Sequence, residues 1–413
     1  MKLTSEEQAW LAGEGGPGQR KAMEIIVALG TIYGAADTVP VRSVQVAGVS
    51  YKNLGEAGLE FLREWAAQGG KVRVPALLNP AGMDLVDWRR LGISETFASQ
   101  QLAVIDVLKA MGANPTCSCT PYFIGPLPGF GESVAWSESS AVSYANSVLG
   151  ARTNREGGPS ALAAAITGRT ARYGLHLEEN RLADVLVEVR CPVDSEADYG
   201  ALGYMVGKRL AQGVPCFRGL IVEPYERAIP PAAVEVGLRA LGAAMAASGA
   251  VALYHIEGVT PEARGANVLR QGARRLTIDS LIEGYAALNT TPLTDIELVS
   301  IGCPHASAHE LEEIASLLQG KRVATRLWVT TARLTKTMVP HAVEAIEQAG
   351  GLVVSDTCLV VAPIEELGIR RLATNSAKAA FYAPSHSHMD VRFGTLGQCL
   401  AAAITGRWPG TNG

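Results

Sequence analysis

The chain has 413 residues, of which 48% are hydrophobic and 18% charged, with a formal net charge of −4 and a pI near 6.0. This length predicts more than one domain, because single hydrophobic cores stop growing at roughly 250–300 residues. Its charge argues against nucleic-acid and membrane-surface binding, which need clustered lysine and arginine, and no apolar run reaches the roughly 18 residues of a membrane span. We therefore expect a cytoplasmic protein that acts on a small molecule.

The first part of the chain alternates predicted helices with loops. Thr4 and Glu7 have the spacing of a capping box, which predicts a helix start. Apolar residues at helical spacing predict further helices over residues 22–29, 57–65, 100–111, 137–149 and 159–167. A predicted strand over 71–75 leads into a loop that holds Asn79.

Two loops in this part are candidates for ligand contact. Residues 114–131 form a long, proline-rich stretch that includes Cys119, and such loops usually carry function in a compact domain. Residues 150–158 are unusually polar and hold Arg152 and Arg155 between two predicted helices. This density of polar side chains predicts contact with a ligand.

From about residue 180 onward, strands and helices alternate. The pattern predicts strands over 185–189, 219–222, 250–255, 297–301, 322–329 and 351–355, and helices over 199–210, 232–247, 308–318 and 340–348. Repeated βαβ units predict parallel sheets, in which the carboxyl ends of the strands form the ligand crevice. Cys303 and Cys358 fall just past two of these predicted strand ends. We interpret residues 260–291, whose pattern is mixed, as a linker.

The predicted organisation has three parts. Residues 1–175 form an N-terminal domain with Cys119 and the polar loop, residues 176–290 a middle α/β domain, and residues 291–413 a C-terminal α/β domain with Cys303 and Cys358.

Seven cysteines are too few and too scattered for a disulfide framework, and their spacing does not match a zinc ribbon. Cys303 and Cys358 are either metal ligands or small apolar residues at strand ends. For Cys119 we favour a ligand, because a structural thiol has little to pack against in a proline-rich loop. Three thiolates around an iron cluster leave one position open, where iron can act as a Lewis acid on a hydroxyl leaving group. This is dehydratase chemistry.

Other polar side chains have two readings each. His305 either donates a hydrogen bond to a thiolate or substrate, or is solvated. Glu138 either acts as an acid or base, or caps the following helix, which we favour. Lys378 either neutralises an anionic substrate or points to solvent. Arg152 and Arg155 either grip a substrate carboxylate or form salt bridges within their loop.

Six motifs occur in order along nearly the whole chain. They are CTPY at 119–122, WSESSA at 136–141, GARTNREGG at 150–158, GCPH at 302–305, DTC at 356–358 and TNSAK at 374–378. Together they resemble the aconitase X family. The resemblance implies an α/β fold of the aconitase type, with several α/β/α domains, parallel sheets and the cluster site in the cleft between domains.

The resemblance also implies a hydro-lyase that holds an iron–sulfur cluster, [2Fe-2S] or [4Fe-4S], or a single iron. The implied metal ligands are Cys119, Cys303 and Cys358. The implied catalytic residues are Glu138, Ser139, His305 and Lys378. The implied substrate contacts are Asn79, Arg152, Asn154, Arg155, Glu156, Asn375 and Ser376. A small swivelling subunit, which supplies a serine as the base in aconitases, is the expected partner in a heterodimer or a higher heteromer.

The resemblance implies that the substrate is a small hydroxy acid. We predict cis-3-hydroxy-L-proline as the substrate, with 1-pyrroline-2-carboxylate as the product, and mevalonate 5-phosphate as the alternative. Gln45 stands where many relatives are expected to have histidine, and there is no cationic cluster or glycine-rich phosphate nest. Both features favour a substrate without a phosphate group. Two other classes stay open: a non-catalytic iron–sulfur binding protein, which the acidic pI disfavours, and a zinc enzyme with His386, His388 and Asp390 as ligands.

Overall fold

The computed structural model describes residues 1–222, 232–292 and 294–410. The first part contains a three-stranded parallel sheet, an antiparallel pair of strands, and helices packed around them. The helices are α1 (Ser5–Ala12), α2 (Pro17–Ile32), α3 (Tyr51–Ala67), α4 (Glu95–Ala110), α5 (Pro121–Ile124), α6 (Ser139–Tyr144) and α7 (Gly158–Thr167). The strands are β1 (Thr38–Pro40), β2 (Val44–Val46), β3 (Ala76–Leu78), β4 (Ala135–Trp136) and β5 (Arg169–Ala171).

The predicted start of α1 is confirmed. Thr4 Oγ1 accepts from the Glu7 amide at 3.3 Å, and the Glu7 carboxylate accepts from the Thr4 amide at 2.7 Å. The parallel strands lie in the order β3-β2-β4. A core that includes Met23, Trp65 and Leu78 fixes the helices on this sheet. The carboxyl ends of β2, β3 and β4 consequently face one side, where the polar residues of this part collect.

The second sheet is parallel, with strand order β8-β7-β6-β9. Its elements are β6 (Ala183–Val189), α8 (Glu196–Leu210), β7 (Pro215–Arg218), α9 (Ala232–Gly249), β8 (His255–Ile256), β9 (Leu269–Ile278) and α10 (Ile282–Leu288). Strand β9 lies in the segment that we interpreted as a linker, so that interpretation was wrong. The strand predicted at 219–222 is also displaced, because the chain turns at Gly219, which has φ +87°.

The third sheet has the strand order β12-β11-β10-β13-β14 and is parallel throughout. Its strands are β10 (Leu298–Ala306), β11 (Arg326–Thr331), β12 (Leu352–Ser355), β13 (Arg371–Thr374) and β14 (Asp390–Phe393). Its helices are α11 (Ala308–Leu318), α12 (Arg333–Met338), α13 (Pro340–Gln348), α14 (Ala377–Ser387) and α15 (Leu396–Thr405). The predicted parallel α/β architecture is confirmed.

The direction of winding in the third sheet reverses beside its central strand. From β10 the chain passes to β11 and β12 on one side, and then crosses to β13 and β14 on the other. A reversal of this kind opens a crevice at the carboxyl ends of the two strands, where ligands bind in open α/β sheets. None of the helices in the described ranges is long and apolar enough to span a bilayer.

Candidate active site

Three cysteines meet in one cavity of about 190 Å³ at the reversal point of the third sheet. Cys119 lies in the loop before α5, Cys303 near the end of β10, and Cys358 after β12. Each side chain is nearly buried, with 4%, 8% and 9% of its surface exposed. The predicted positions of Cys119 in a loop and of Cys358 after a strand are confirmed, whereas Cys303 lies within β10, where the ladder to β11 is interrupted.

The cavity draws its walls from the first and third parts of the chain. Besides the three cysteines, its walls are formed by Asn79, Pro80, Glu138, Ser139, Arg155, Val360, Val361, Lys378, Tyr382 and His386. Of the predicted catalytic residues, Glu138, Ser139 and Lys378 reach this cavity. Of the predicted substrate contacts, Asn79 and Arg155 reach it.

A left-handed backbone precedes every one of the three cysteines. Cys117 has φ +43°, Gly302 has φ +92° and Asp356 has φ +64°, each one or two residues before a cavity cysteine. At position 302 a Cβ atom would clash with the carbonyl oxygen of Thr330, so glycine is required. Non-glycine residues in this region cost about 1–3 kcal/mol and concentrate at functional sites. The fold therefore accepts strain in order to direct these thiols inward.

The sulfur atom of Cys119 also receives a hydrogen bond. The backbone amide of His305 donates to Cys119 Sγ at 3.2 Å. The Ser376 side chain and the Val361 amide lower the pKa of Cys303 and Cys358, respectively, and both donate to the carbonyl oxygens of these two residues.

Burial raises the pKa of all three thiols, that of Cys358 to about 12, and the charge of Lys378 opposes this rise at each of them. The charge of Lys378 therefore acts on the pKa of all three thiols. Donors and a shared positive charge are what bound thiolates require.

His305 lies beneath the cysteines and does not line the cavity. Its Nδ1 lies 3.0 Å from Ser118 Oγ, and its Nε2 lies 2.8 Å from the carbonyl oxygen of Thr357. Burial lowers the pKa of His305 to about 4, so the ring is neutral, with Nε2 donating to Thr357 and Nδ1 accepting from Ser118. Because both nitrogens are occupied, the predicted catalytic role is corrected to a positioning role.

Glu138 and Lys378 form an ion pair on the cavity wall. Glu138 occupies the N-cap position of α6, but its side chain does not cap the helix, so the favoured capping role was wrong. Burial alone would raise the pKa of Glu138. The charge and hydrogen bond of Lys378, with a 3.0 Å bond from Asn79 Nδ2, instead lower that pKa to about 2. Lys378 is held cationic by the same pair, and its pKa is raised in spite of burial.

Gln45 supports this wall from behind. Its Nε2 donates to the carbonyl oxygen of Ser118 at 3.0 Å, and its Oε1 accepts from the Glu138 amide at 3.2 Å. Its side chain is fully buried and does not line the cavity. The hint about substrate that we took from Gln45 is therefore withdrawn, because this residue links the loops of Cys119 and Glu138.

Three members of the polar loop 150–158 serve the structure of the loop itself. Arg152 forms an ion pair with Glu178 at 2.7 Å, away from the cavity. Asn154 donates to the carbonyl oxygen of Tyr173 at 3.0 Å. Glu156 is buried and accepts from Ser160 and Thr170 at 2.6 and 2.8 Å. The structure therefore places these three side chains outside the cavity lining.

Asn375 and Ser376 lie behind Cys303. Ser376 caps α14 and donates to the carbonyl oxygen of Cys303. Asn375 lies 2.5 Å from the Glu196 carboxyl, on the side away from the cavity. Neither residue lines the cavity, so their predicted substrate contacts become contacts that support Cys303.

Tyr382 and His386 were missed as wall residues. They follow Lys378 at intervals of four residues on α14, the spacing that puts side chains on one face of a helix. Because the sequence analysis predicts no helix over these residues, it could not place their side chains on one face. His386 had been considered as a zinc ligand with His388 and Asp390.

The three thiols are the candidate ligands for a metal group in this cavity. Among the residues that the structure describes, no three His, Cys, Asp or Glu side chains are arranged to hold one metal ion. The described residues His386, His388 and Asp390 therefore do not form the arrangement that the zinc interpretation needs. Several iron atoms in a cluster can be reached by thiolates that lie farther apart, and three buried thiols with donors around one cavity are such a ligand set.

Three family models match the sequence in order. The aconitase X first domain matches residues 1–179, the second domain residues 183–282 and the third domain residues 296–405. A crystal structure of aconitase X from Thermococcus kodakaraensis, in its holo-form, superposes with a TM-score of 0.88 at 46% identity. The match covers 98% of this chain and 100% of that one.

Curated relatives carry two names. The phosphomevalonate dehydratase large subunit of Methanocaldococcus jannaschii is 48% identical, over 97% of this chain and 99% of the relative. That of Methanothermobacter thermautotrophicus is 50% identical, over 94% and 95%. The cis-3-hydroxy-L-proline dehydratase of Pseudomonas aeruginosa is 35% identical, over 99% of this chain and 71% of the relative.

Proposed function

Since this chain belongs to the aconitase X family and is a hydro-lyase, we propose that it is the large subunit of an enzyme that dehydrates phosphomevalonate. The observation that carries the hydro-lyase chemistry is the convergence of three buried thiols on one cavity beside the Glu138–Lys378 pair. Identity supports the substrate, because the five relatives named for phosphomevalonate are 37–50% identical, four of them at 46–50%, against 35% for the two named for cis-3-hydroxy-L-proline. Mevalonate 5-phosphate, the alternative substrate of the sequence analysis, therefore replaces cis-3-hydroxy-L-proline as the proposed substrate.

Cys119, Cys303 and Cys358 would hold the iron–sulfur cluster. When bound, such a cluster supplies a Lewis-acidic iron for the hydroxyl that leaves. The fit rests on the burial of the three thiols, on the hydrogen bond to Cys119 and on the charge of Lys378, which lowers the pKa of all three.

The reaction removes a proton from the carbon next to the carboxylate and breaks the C–O bond of the hydroxyl, which leaves as water after it gains a proton. Negative charge develops on the carboxylate side as the proton is lost. Lys378 lies beside the thiols as a permanent cation and stabilises that charge. Glu138 is ionised, so it cannot donate a proton at neutral pH. It holds Lys378 in place instead.

A small subunit completes the enzyme in this proposal. The phosphomevalonate relatives are named as large subunits, and the match covers 92–98% of this chain and 95–99% of each relative. The hydroxyproline relatives are longer, and the match covers 69–71% of them. The name large subunit supports a partner that closes the cavity and brings the base, as the family resemblance implies.

Co-expression with the small subunit under anaerobic conditions tests the proposal. We expect the purified complex to contain iron and acid-labile sulfide, and to release water from phosphomevalonate but not from cis-3-hydroxy-L-proline. If the complex turns over only cis-3-hydroxy-L-proline, the proposed substrate is wrong. A complex without iron and sulfide would overturn the chemistry as well.

A further inference from the structure

One arginine on the cavity wall has no acidic partner of its own. Arg155 is exposed and lines the cavity, and none of the ion pairs formed within residues 1–222, 232–292 and 294–410 involves it. Three residues earlier in the same loop, Arg152 is tied to Glu178 at 2.7 Å. Of the two arginines in this motif, Arg152 is therefore paired with a carboxylate, whereas Arg155 is not within these ranges.

The acidic residues near Arg155 are committed elsewhere. Glu156, its neighbour in sequence, is buried and bonded to Ser160 and Thr170. Glu138 feels the charge of Arg155 but is paired with Lys378. Arg155 is therefore available to an anion that enters from outside.

Helix α14 brings a second group to the same opening. Lys378 is nearly buried beside the thiols, whereas His386, two turns later on the same face, is exposed. The His386 ring packs edge-on against Tyr382, with ring centroids 5.0 Å apart. Its Nδ1 lies 3.0 Å from Ser385 Oγ, and in the described part of the chain no hydrogen bond to Nε2 is formed. The cavity therefore has Lys378 at its floor, and Arg155 and His386 at its mouth.

We propose that Arg155, with His386 beside the same opening, binds the phosphate group of the substrate. This inference rests on the proposed function. The carbon that loses its proton is next to the carboxylate, so the carboxylate end of phosphomevalonate must lie at the thiols and Lys378. The phosphate at the other end then lies at the mouth. A guanidinium group binds phosphate through two parallel hydrogen bonds, which gives this end its specificity.

The test compares Arg155→Gln, His386→Gln and the control Arg152→Gln, each as the iron-loaded complex with the small subunit. For Arg155→Gln we expect the KM for phosphomevalonate to rise by about ten-fold or more, the factor of a lost charge-assisted hydrogen bond, with kcat nearly unchanged. Inhibition by inorganic phosphate should weaken by the same factor. His386→Gln should have a smaller effect, and Arg152→Gln should behave as wild type.

The inference is overturned if Arg155→Gln leaves KM unchanged, or if kcat falls while KM stays constant, which would place Arg155 at the reacting end. A wild-type complex that does not turn over phosphomevalonate contradicts the proposed function instead. In that case, calorimetric titration with inorganic phosphate tests anion binding by Arg155 independently of turnover. Binding that Arg155→Gln abolishes supports the anion site, whereas no binding in wild type, or equal binding in the variant, refutes it.

Discussion

The Nε2 atom of His305 lies 2.8 Å from the carbonyl oxygen of Thr357, the residue directly before Cys358. The same ring bonds Ser118, directly before Cys119, and His305 itself follows Cys303 by two residues. A single neutral side chain therefore joins the three loops that carry the cavity thiols. Arg239 fixes it further by donating to its carbonyl oxygen at 2.8 Å.

Replacement of His305 by alanine should loosen these loops. It removes two ring hydrogen bonds of about 1 kcal/mol each and opens a buried cavity, so we expect a loss of about 2–4 kcal/mol in the free energy of unfolding. Iron should also dissociate faster. Urea unfolding and the rate of iron release to a chelator measure both effects. Glutamine can donate and accept, so the stability and iron-release rate of His305→Gln should lie between those of His305→Ala and wild type. His309 is exposed, so His309→Ala should match wild type in both measurements. Equal iron release in all variants would contradict the positioning role.

Serine at position 119, 303 or 358 should each remove iron and acid-labile sulfide from the anaerobically purified protein. The matched control is Cys117→Ser, because Cys117 is fully buried two residues from Cys119 but does not line the cavity. Loss of cluster from the control alone, or retention in two of the three variants, would show that the ligand set is assigned wrongly.

Removal of one partner of the Glu138–Lys378 pair should destabilise the protein more than removal of both. Lys378→Met leaves a nearly buried carboxylate without its cation, which costs about 3–5 kcal/mol when a pair is fully buried. Some solvent access and the Asn79 bond favour the lower end of this range. The double variant Lys378→Met/Glu138→Gln should recover part of the loss in urea unfolding while remaining inactive. Recovery of activity would show that Lys378 does not act on the substrate.

His176 should make stability depend on pH. Burial and the charges of Arg181 and Arg152 lower its pKa to about 4, whereas an unfolded histidine titrates near 6.5. Between these values the unfolded chain binds a proton that the folded chain does not, so stability falls as the pH drops from 6.5 to 4, by about 3 kcal/mol in total. His176→Gln should lack this component. The difference between the two proteins, measured by urea unfolding at pH 7 and pH 4.5, isolates it from any acid effect on the cluster.

The regular βαβ units could be predicted from the sequence because their apolar runs are buried and clearly bounded. Helices α11 and α13 occur at the predicted residues, 308–318 and 340–348. Strand β9 was missed because it lies at the edge of its sheet and carries exposed arginines, which interrupt the alternation of apolar and polar residues.

At the site, residue types were predicted better than their directions. The thiols stood out through position and motif, and Lys378 and Glu138 through charge within a motif. In the loop 150–158, Arg152, Asn154 and Glu156 looked as suitable as Arg155, but which side chain turns inward depends on partners far along the chain or on the opposite face. Such contacts are not encoded in local spacing.

The contacts that complete the cavity can form only late in the synthesis of the chain. Cys119 must wait for the His305 amide that donates to it, which lies 186 residues later, and Glu138 must wait 240 residues for Lys378. At about 5–20 residues per second, a ribosome needs roughly 10–50 s to supply these partners. During that interval the nascent chain carries a free thiol and an unpaired carboxylate where the finished enzyme has a closed ligand set. The proposed ligand set is therefore complete only after nearly the whole chain has been synthesised, and a fragment that ends before Cys303 lacks two of its three thiols.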